Sequence, residues 1–409
     1  MLLSLAVIFL LGFLVGYLFE KIKMPKLIWY LILGIILGPS VLNFISPTLM
    51  NISPYLRQMA LVIILTRANL SLDLKALKRI GISVILLSFI PATFELIGVV
   101  IFAPMFLKIN YFEAMLLGSV LAAVSPAIIV PRMIKIMDEK YGLKHSIPQM
   151  VLAGSSIDDI YVIILFYSFK QLVAINTFEA GVLLNIPTSL ILGVVAGIIT
   201  GLIIYLVFKY LKMATVIKVL IVFGISLGLI ELEGYIKKYI AFSALISIIV
   251  LGITLFKKDQ YQAEQLQKGY SKMWIFFELI LFVLIGAQTD IKYAASVEGA
   301  KIVGLILLVL LFRSIGVLIS LLFSKTSIKE KIFIVLAYIP KATVQASIGA
   351  IALAEGLACG TIILTAAVLS ILITGPLGAI LIDFTYKKLL KKDEQPNYLS
   401  ISKKYWLFK

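Results

Sequence analysis

The chain has 409 residues, of which 61% are hydrophobic and 14% charged, and its mean hydropathy is +1.09. Soluble domains contain about 45–50% apolar and 25% charged residues, so this composition excludes an ordinary soluble protein and predicts a polytopic membrane protein. The formal net charge of +16 would suggest a nucleic-acid partner only if the basic residues formed one surface.

Membrane-spanning helices are expected wherever about 17–25 consecutive residues are mainly apolar. Thirteen runs meet this criterion, near residues 2–19, 27–43, 55–70, 80–106, 111–131, 147–169, 183–208, 214–230, 239–256, 273–289, 302–323, 332–353 and 361–386. We number them spans 1 to 13. Span 1 has no basic segment before it and no small-residue cleavage site, so we expect a retained helix and not a signal peptide.

The distribution of basic residues predicts the orientation of these spans. With the N-terminus outside, the connections after odd-numbered spans and the segment after Tyr386 hold 28 of the 37 Lys and Arg residues, and the other connections hold seven. This asymmetry follows the positive-inside rule. We therefore expect a multi-pass protein of the cell membrane, with its N-terminus outside, its C-terminus in the cytoplasm and no nucleic-acid partner.

Three pairs of features recur along the chain at an offset of about 216 residues. The pairs are 72–76 with 289–293, Pro126 with Pro340, and Glu95 with Arg313. This offset covers seven spans, and because seven is odd, the second copy would be inserted upside down. Inverted repeats of this kind are typical of secondary transporters. The sequence thus predicts an all-α membrane protein with thirteen transmembrane helices in two inverted repeats.

Prolines inside spans 5 and 12 predict that both helices are broken. Pro126 and Pro131 lie in span 5, and Pro340 lies in span 12, followed directly by Lys341. Proline removes a backbone donor and clashes with the preceding turn. The backbone groups that this leaves free are tolerated at membrane depth only where they line a cavity or face protein. We expect two crossing broken helices, with Lys341 neutralising the partial negative charge at a half-helix C-terminus.

Two adjacent carboxylates, Asp158 and Asp159, lie in span 6, where no other charge occurs between Lys144 and Lys170. An ionised carboxylate at the bilayer centre costs about 2.5–3.5 kcal/mol even on insertion scales, which points to an ion or proton site. Their side chains should project about 100° apart, and Ser155 shares the helix face of Asp159. Oxygen ligands suit Na⁺ or Li⁺, and a carboxylate that also accepts a proton lets one site serve both ions in turn.

Glu95, Arg313 and Glu278 are further charged residues inside spans. Glu95 and Arg313 are opposite charges in matched spans, so we expect a structural ion pair between them, or alternatively Arg313 as the counter-charge of Asp158. Glu278 lies near the cytoplasmic end of span 10. It is expected to be either a polar residue of an ion funnel or a side chain that reaches the membrane surface.

Five segments, in chain order, resemble the monovalent cation:proton antiporters, and in particular the NHA-type branch with the double-aspartate motif, related to NapA. They are Leu33-Gly34 through Gly38-Pro39-Ser40, Arg67 to Lys75, Ala123-Val124-Ser125-Pro126-Ala127, Ser155-Ser156-Ile157-Asp158-Asp159 and Pro340-Lys341-Ala342-Thr343-Val344-Gln345-Ala346. The resemblance implies the NhaA/NapA-like fold, a homodimer, and a core domain that moves like an elevator. It also implies that Asp159 is the principal Na⁺ carboxylate with Asp158 its partner. We add Ser155, Ser125 and Val124 to these two as candidate ion-binding residues.

The resemblance also implies a division into domains. Its parts are dimerisation helices at 1–54 and 214–256, a core domain at 55–170 and 257–386, a linker helix at 171–213, and a basic cytoplasmic tail at 387–409. One position departs from the electrogenic members of the family, which carry a lysine where Arg313 stands. Because arginine does not release its proton, we expect transport to be electroneutral or at most weakly electrogenic.

The main hypothesis is therefore exchange of Na⁺ or Li⁺ for H⁺, with no cofactor and no catalytic residues. A K⁺/H⁺ antiporter of the potassium-efflux type and a cation channel remain the alternatives. A membrane aspartyl protease is disfavoured because adjacent aspartates on one helix diverge. No GxxxxGK[ST] segment occurs, so ATP-driven pumping has no support.

Overall fold

The structure is a computed structural model that describes residues 1–22, 24–70, 82–175, 180–211, 213–236 and 240–393. These residues form helices and one isolated β-bridge, between Tyr141 and Lys392. The helices are α1 (Leu2–Lys21), α2 (Lys26–Leu37), α3 (Pro47–Asn69), α4 (Ile82–Leu107), α5 (Tyr111–Leu121), α6 (Pro126–Asp138), α7 (Ile147–Ile175), α8 (Ala180–Tyr210), α9 (Thr215–Ile236), α10 (Ala244–Lys258), α11 (Gln260–Gln288), α12 (Ile291–Ala294), α13 (Val297–Ser320), α14 (Ile328–Ala337), α15 (Thr343–Ile348), α16 (Ile351–Ala354) and α17 (Gly360–Leu389). The predicted all-α membrane fold is confirmed.

Each predicted span coincides with one helix or with a broken helix. Within the described ranges, ten segments are long and apolar enough to cross a membrane, and α2 and Thr343–Ala354 are shorter apolar helices. Thirteen crossings stay a prediction. The repeat segment 72–76 and the basic tail beyond Asp393 lie outside the described residues.

Several helix ends differ from the predicted boundaries by five residues or more, and two of these differences have a local cause. Hydropathy predicts span 2 up to residue 43, but α2 ends at Leu37 because Gly38 is extended and Pro39 offers no backbone donor. Hydropathy predicts that span 10 begins near residue 273, but α11 starts at Gln260. Its first half is rich in Gln, Glu and Lys, which are polar but good helix formers, so hydropathy alone missed it.

By contacts, the described chain divides into two compact units. The first contains Met1–Ile52, Lys75–Val173 and Phe282–Lys409, and the second contains Ser53–Leu74 and Ala174–Leu281. The predicted division into dimerisation, linker and core domains concerns which helices move together, and it stays a prediction. Every predicted site residue except Glu278 belongs to the first unit.

The first broken helix consists of α5 and α6. A capping box of Asn110 and Glu113 starts α5, which ends at Leu121 with Ala122 as its C-cap residue. Ser125 occupies the N-cap position of α6 without a side-chain cap hydrogen bond, and the first helical residue is Pro126. Proline at the first helical position costs no hydrogen bond because that amide has no partner inside the helix. The sequence therefore ends one half-helix and begins the next within four residues.

The second broken helix consists of α14 and α15. It also starts with a capping box, made by Ser327 and Glu330, and α14 ends where Tyr338 leaves the helical path. Pro340 lies in the break, and α15 begins after Ala342. Proline cannot continue the hydrogen-bonding ladder of α14, which explains the break.

The two breaks contact each other, as the prediction of crossing broken helices requires. The amide of Ser125 donates to the carbonyl of Pro340 at 2.8 Å. From the other side, the Gln345 amide group donates to the carbonyl of Ala123 at 2.8 Å, and the Thr343 amide donates to the Ser125 hydroxyl at 3.4 Å. Each break thus supplies hydrogen-bond partners for backbone groups that the other leaves free.

Helices α4 and α13 pack closely through two glycines. A side-chain carbon at position 98 would lie 2.9 Å from Cγ of Phe312, and one at position 316 would lie 3.1 Å from Cβ of Phe94 and 2.8 Å from Cα of Pro91. Gly98 and Gly316 are 218 residues apart, and so are Phe94 and Phe312. The contact is therefore reciprocal between matched positions.

Replacing Gly316 by alanine should destabilise the protein, because its new methyl group meets the backbone of Pro91, which cannot move alone. Overpacking of this kind typically costs about 1–3 kcal/mol. The matched control is Gly304→Ala on the same helix, where no atom lies within 4 Å. It should be neutral or stabilising, since alanine favours helix by up to about 1 kcal/mol over glycine. Unfolding midpoints in detergent measure both, and equal midpoints would contradict the close packing of α4 and α13.

Candidate ion-binding site

The two aspartates of α7 occupy different environments. Asp158 is fully buried, whereas Asp159 is partly exposed. Adjacent residues on a helix project about 100° apart, so only one of them can point fully inward. One oxygen of each, Oδ1, is buried and has no hydrogen-bond partner among the described residues. These two oxygens are free to accept a proton or to ligate a cation.

Asp158 is held at the break between α5 and α6. Its Oδ2 accepts a hydrogen bond from the amide of Val124 at 2.9 Å and another from Nη2 of Arg313 at 3.1 Å. Val124 lies just before the N-terminus of α6, where free amides and the helix dipole favour a negative charge. The broken helix therefore stabilises the ionised form of this carboxylate in an otherwise apolar interior.

Arg313 on α13 is the centre of the site and is only 1% exposed. Besides Asp158, its guanidinium donates to Oε2 of Glu95 at 2.9 Å, to the carbonyl of Tyr338 at 2.8 Å and to the carbonyl of Ala122. The two carbonyls lie at the C-terminal ends of α14 and α5, which carry partial negative charge. The single guanidinium of Arg313 thus donates to two carboxylates and to the C-terminal ends of two half-helices. Arg313 therefore contacts both of its expected partners, Glu95 and Asp158, at once, and its role in transport stays a prediction.

Lys341 forms a second buried contact with Glu95, which the sequence did not predict. Its Nζ lies 2.7 Å from Oε1 and 2.9 Å from Oε2 of Glu95, and it also donates to the carbonyl of Leu121. The expected contact with a half-helix C-terminus therefore exists, but on α5 of the other broken helix. The Lys341 backbone amide donates to the hydroxyl of Thr374 at 3.0 Å.

The remaining predicted residues lie in three places. Ser125 is at the crossing, with its Oγ 3.5 Å from that of Thr343. Ser155 is buried on α7, and its hydroxyl donates to the carbonyl of Leu152 at 3.1 Å in its own helix. Glu278 is 6% exposed on the second unit, where it interacts electrostatically with Arg67. The structure thus joins Asp158, Val124, Glu95, Arg313 and Lys341 in one network.

Sequence reasoning missed two polar side chains at the breaks, Tyr338 and Gln345. Both are fully buried, and each has one polar atom without a hydrogen-bond partner in the described structure. The available signal was their position within five residues of Pro340. A polar side chain next to a proline break in an apolar span has few places to lie except at the site.

Comparison with known proteins decides the family. The family model described as sodium/hydrogen exchanger, transmembrane, matches residues 6–388. The chain belongs to the sodium/hydrogen exchanger family. Human sodium/hydrogen exchanger 9B1 is 31% identical over 359 residues, which cover 85% of this chain and 69% of that relative. Human sodium/hydrogen exchanger 9B2 is 32% identical over 356 residues, which cover 84% of this chain and 66% of that protein.

A solved structure shares the fold of this exchanger family member. The sodium proton antiporter MjNhaP1 from Methanocaldococcus jannaschii at pH 8 superposes with a TM-score of 0.78. The match covers 94% of this chain and 98% of the archaeal chain at 22% sequence identity. The resemblance to cation:proton antiporters that the sequence motifs indicate is confirmed, and the chain is a multi-pass membrane protein of a transporter family.

The double contact of Glu95 predicts a coupled response to mutation. Glu95→Gln should cost about 3–5 kcal/mol of stability, because it leaves the buried Lys341 uncompensated. Arg313 keeps Asp158 as its partner. The double variant Glu95→Gln with Lys341→Met should therefore be more stable than the sum of the two single losses predicts.

Thermal unfolding of the single and double variants in detergent measures this coupling. The matched control is the more exposed pair of Lys170 and Glu355, whose nearest atoms lie 2.5 Å apart. Removing Lys170 should cost at most about 1 kcal/mol. Strictly additive losses at Glu95 and Lys341 would count against a buried pair.

Proposed function

We propose that this protein exchanges Na⁺ or Li⁺ for H⁺ at the Asp158–Asp159 pair by elevator-like alternating access. The observation that carries the proposal is the pair of buried Oδ1 atoms without hydrogen-bond partners on Asp158 and Asp159, beside ion pairs that join Asp158, Glu95, Arg313 and Lys341. Carboxylate oxygens bind both hard monovalent cations and protons. The names of the human relatives and of the archaeal antiporter support the same pair of ions.

Charge balance explains why the site would exchange ions and not leak them. Arg313 and Lys341 carry two positive charges, which the negative charges of Glu95 and Asp158 offset. Asp159 is the remaining carboxylate. One monovalent cation or one proton bound there makes the whole network neutral, whereas the empty ionised site carries a net charge. Because an unpaired charge is costly inside a membrane protein, the loaded forms would cross more easily than the empty one.

The inverted repeat belongs to the same proposal and has support from the packing. Glu95 and Arg313 are 218 residues apart and form an ion pair, and Ser125 and Thr343 are also 218 residues apart and adjoin at the crossing. The capping boxes at Asn110 and Ser327 begin the two broken helices 217 residues apart. Contacts between matched positions are what a twofold relation between two repeats produces. The same proposal includes a homodimer and an elevator-like movement of the core domain.

Asp159→Asn should abolish Na⁺-driven proton flux in proteoliposomes, because asparagine cannot be protonated at cellular pH and has no negative charge to balance a bound cation. The folded protein should remain, since Asp159 has no ion pair in the described structure. Asp290→Asn is the matched control: Asp290 is exposed and caps α12, and asparagine caps helices equally well. Internal pH after an imposed Na⁺, Li⁺ or K⁺ gradient is the readout. Full activity of Asp159→Asn would refute the site.

The charge balance also predicts electroneutral exchange of one cation for one proton. Moving one net charge through 100 mV is worth about 2.3 kcal/mol, so an electrogenic cycle must respond to voltage. We expect the Na⁺-driven proton flux to change less than about twofold between 0 and −100 mV, set with potassium and valinomycin at equal ion gradients.

The informative variant for this experiment is Lys341→Arg. Arginine stays protonated at every cellular pH, whereas a lysine can release its proton. If wild-type flux changed several-fold with voltage and Lys341→Arg removed that response, Lys341 would carry a second proton. That result would overturn the one-for-one exchange while leaving the aspartate site intact.

A further inference from the structure

Tyr338 lies at the end of α14, where the second break begins, and is fully buried. Its carbonyl accepts the Nε hydrogen bond of Arg313 at 2.8 Å, and the guanidinium carbon lies 5.5 Å from the centre of its ring. The backbone and the ring of Tyr338 therefore both contact the guanidinium of Arg313. Its hydroxyl group has no role in the network described so far.

The hydroxyl of Tyr338 points at α7 and has no hydrogen-bond partner in the described part of the chain. A methyl group at position 154 would lie 2.1 Å from this hydroxyl oxygen but 3.5 Å from the ring carbon Cζ. The first distance is impossible and the second is an ordinary contact. The methyl group would also lie 3.2 Å from Cβ of Leu87, which a shift of a few tenths of an ångström relieves. The severe collision is therefore with the hydroxyl group and not with the ring.

Gly154 lies one helical turn before Asp158, on the same face of α7. Side chains on a helix tilt towards its N-terminus, so the carboxylate of Asp158 leans towards the turn that contains Gly154. The hydroxyl of Tyr338 occupies that turn and is within electrostatic reach of Asp158. Two buried oxygens, the Tyr338 hydroxyl and Oδ1 of Asp158, therefore lie on the same side of α7 without partners.

Buried polar groups without partners are rare because they give up hydrogen bonds to water and gain nothing. The Tyr338 hydroxyl and Oδ1 of Asp158 are two such groups beside one ion site, and a bound ion would give both of them a partner. We propose that the Tyr338 hydroxyl oxygen is a ligand of the transported cation, together with the carboxylates of Asp158 and Asp159. The inference rests on the proposed function and names one more residue of that site.

A phenol oxygen suits this position because it is neutral. It adds an oxygen ligand for a dehydrated Na⁺ or Li⁺ without adding a charge, so the loaded network stays neutral. A proton on Asp159 needs no such ligand. The hydroxyl should therefore favour the cation in its competition with the proton, and its loss should weaken cation binding while protonation of the aspartates continues.

Tyr338→Phe removes the oxygen but keeps the ring against Arg313. We expect the KM for Na⁺ and for Li⁺ to rise about tenfold, as expected for one lost contact to a charged ion. The maximal rate at saturating cation should change less than about twofold, since Arg313 keeps its backbone acceptor. Stabilisation of the detergent-solubilised protein by NaCl, relative to choline chloride, should shift to higher concentration by the same factor.

The matched control is Tyr161→Phe on the same helix as Asp158, where the hydroxyl pairs with that of Thr93 at 2.9 Å. Both KM values should stay at the wild-type level. If Tyr338→Phe also keeps wild-type KM values, or loses rate without a change in KM, the hydroxyl is not a ligand. If the wild-type protein is neither driven nor stabilised by Na⁺ or Li⁺, the proposed function fails as well.

The position of the hydroxyl has its own test, which does not depend on transport. Gly154→Ala should unfold at a markedly lower temperature than wild type, because its methyl group collides with the Tyr338 oxygen. Combining Gly154→Ala with Tyr338→Phe removes that collision, so the double variant should regain most of the loss. A double variant no more stable than Gly154→Ala alone would contradict the placement of the hydroxyl, and with it the proposed ligand.

Discussion

The site depends on one buried guanidinium. An uncompensated charge in a membrane interior is costly, and Arg313 avoids that cost by donating to four acceptors: the carboxylates of Glu95 and Asp158 and the carbonyls of Ala122 and Tyr338. The two carbonyls belong to different broken helices, so the guanidinium of Arg313 holds both breaks together. Lysine has no planar fork that could reach four acceptors at once.

The close packing of the helices makes this arrangement possible. Gly98 and Gly316 let α4 and α13 approach until Glu95 and Arg313 meet across their interface. Gly34 and Gly286 play the same part between α2 and the end of α11, where a methyl group at either position would lie within 2.1 Å of a backbone oxygen of the other helix. Gly34 belongs to one of the segments that carry the family resemblance. Its contact with α11 gives a steric reason for a glycine at this position.

The sequence predicted the fold class, the two broken helices and the charges inside the spans, because each leaves a local signal: apolar runs, prolines, and isolated charged residues. It did not predict the contact of Lys341 with Glu95, which joins residues 246 positions apart. The sequence analysis also missed the start of α11, because its first residues are polar helix formers that a hydropathy criterion does not detect. The orientation of Tyr338 depends on a tertiary contact with Gly154 that no local pattern encodes.

An arginine at 313 has a further consequence for the chemistry. Its permanent charge is shared by two carboxylates, because the guanidinium lies 2.9 Å from Glu95 and 3.1 Å from Asp158. Of the three carboxylates of the site, Asp159 alone has no ion pair in the described structure. Proton and cation would therefore compete at one residue, while the rest of the network keeps the broken helices together. Under the proposed exchange, the guanidinium of Arg313 would keep both broken helices in place while Asp159 binds one ion or the other.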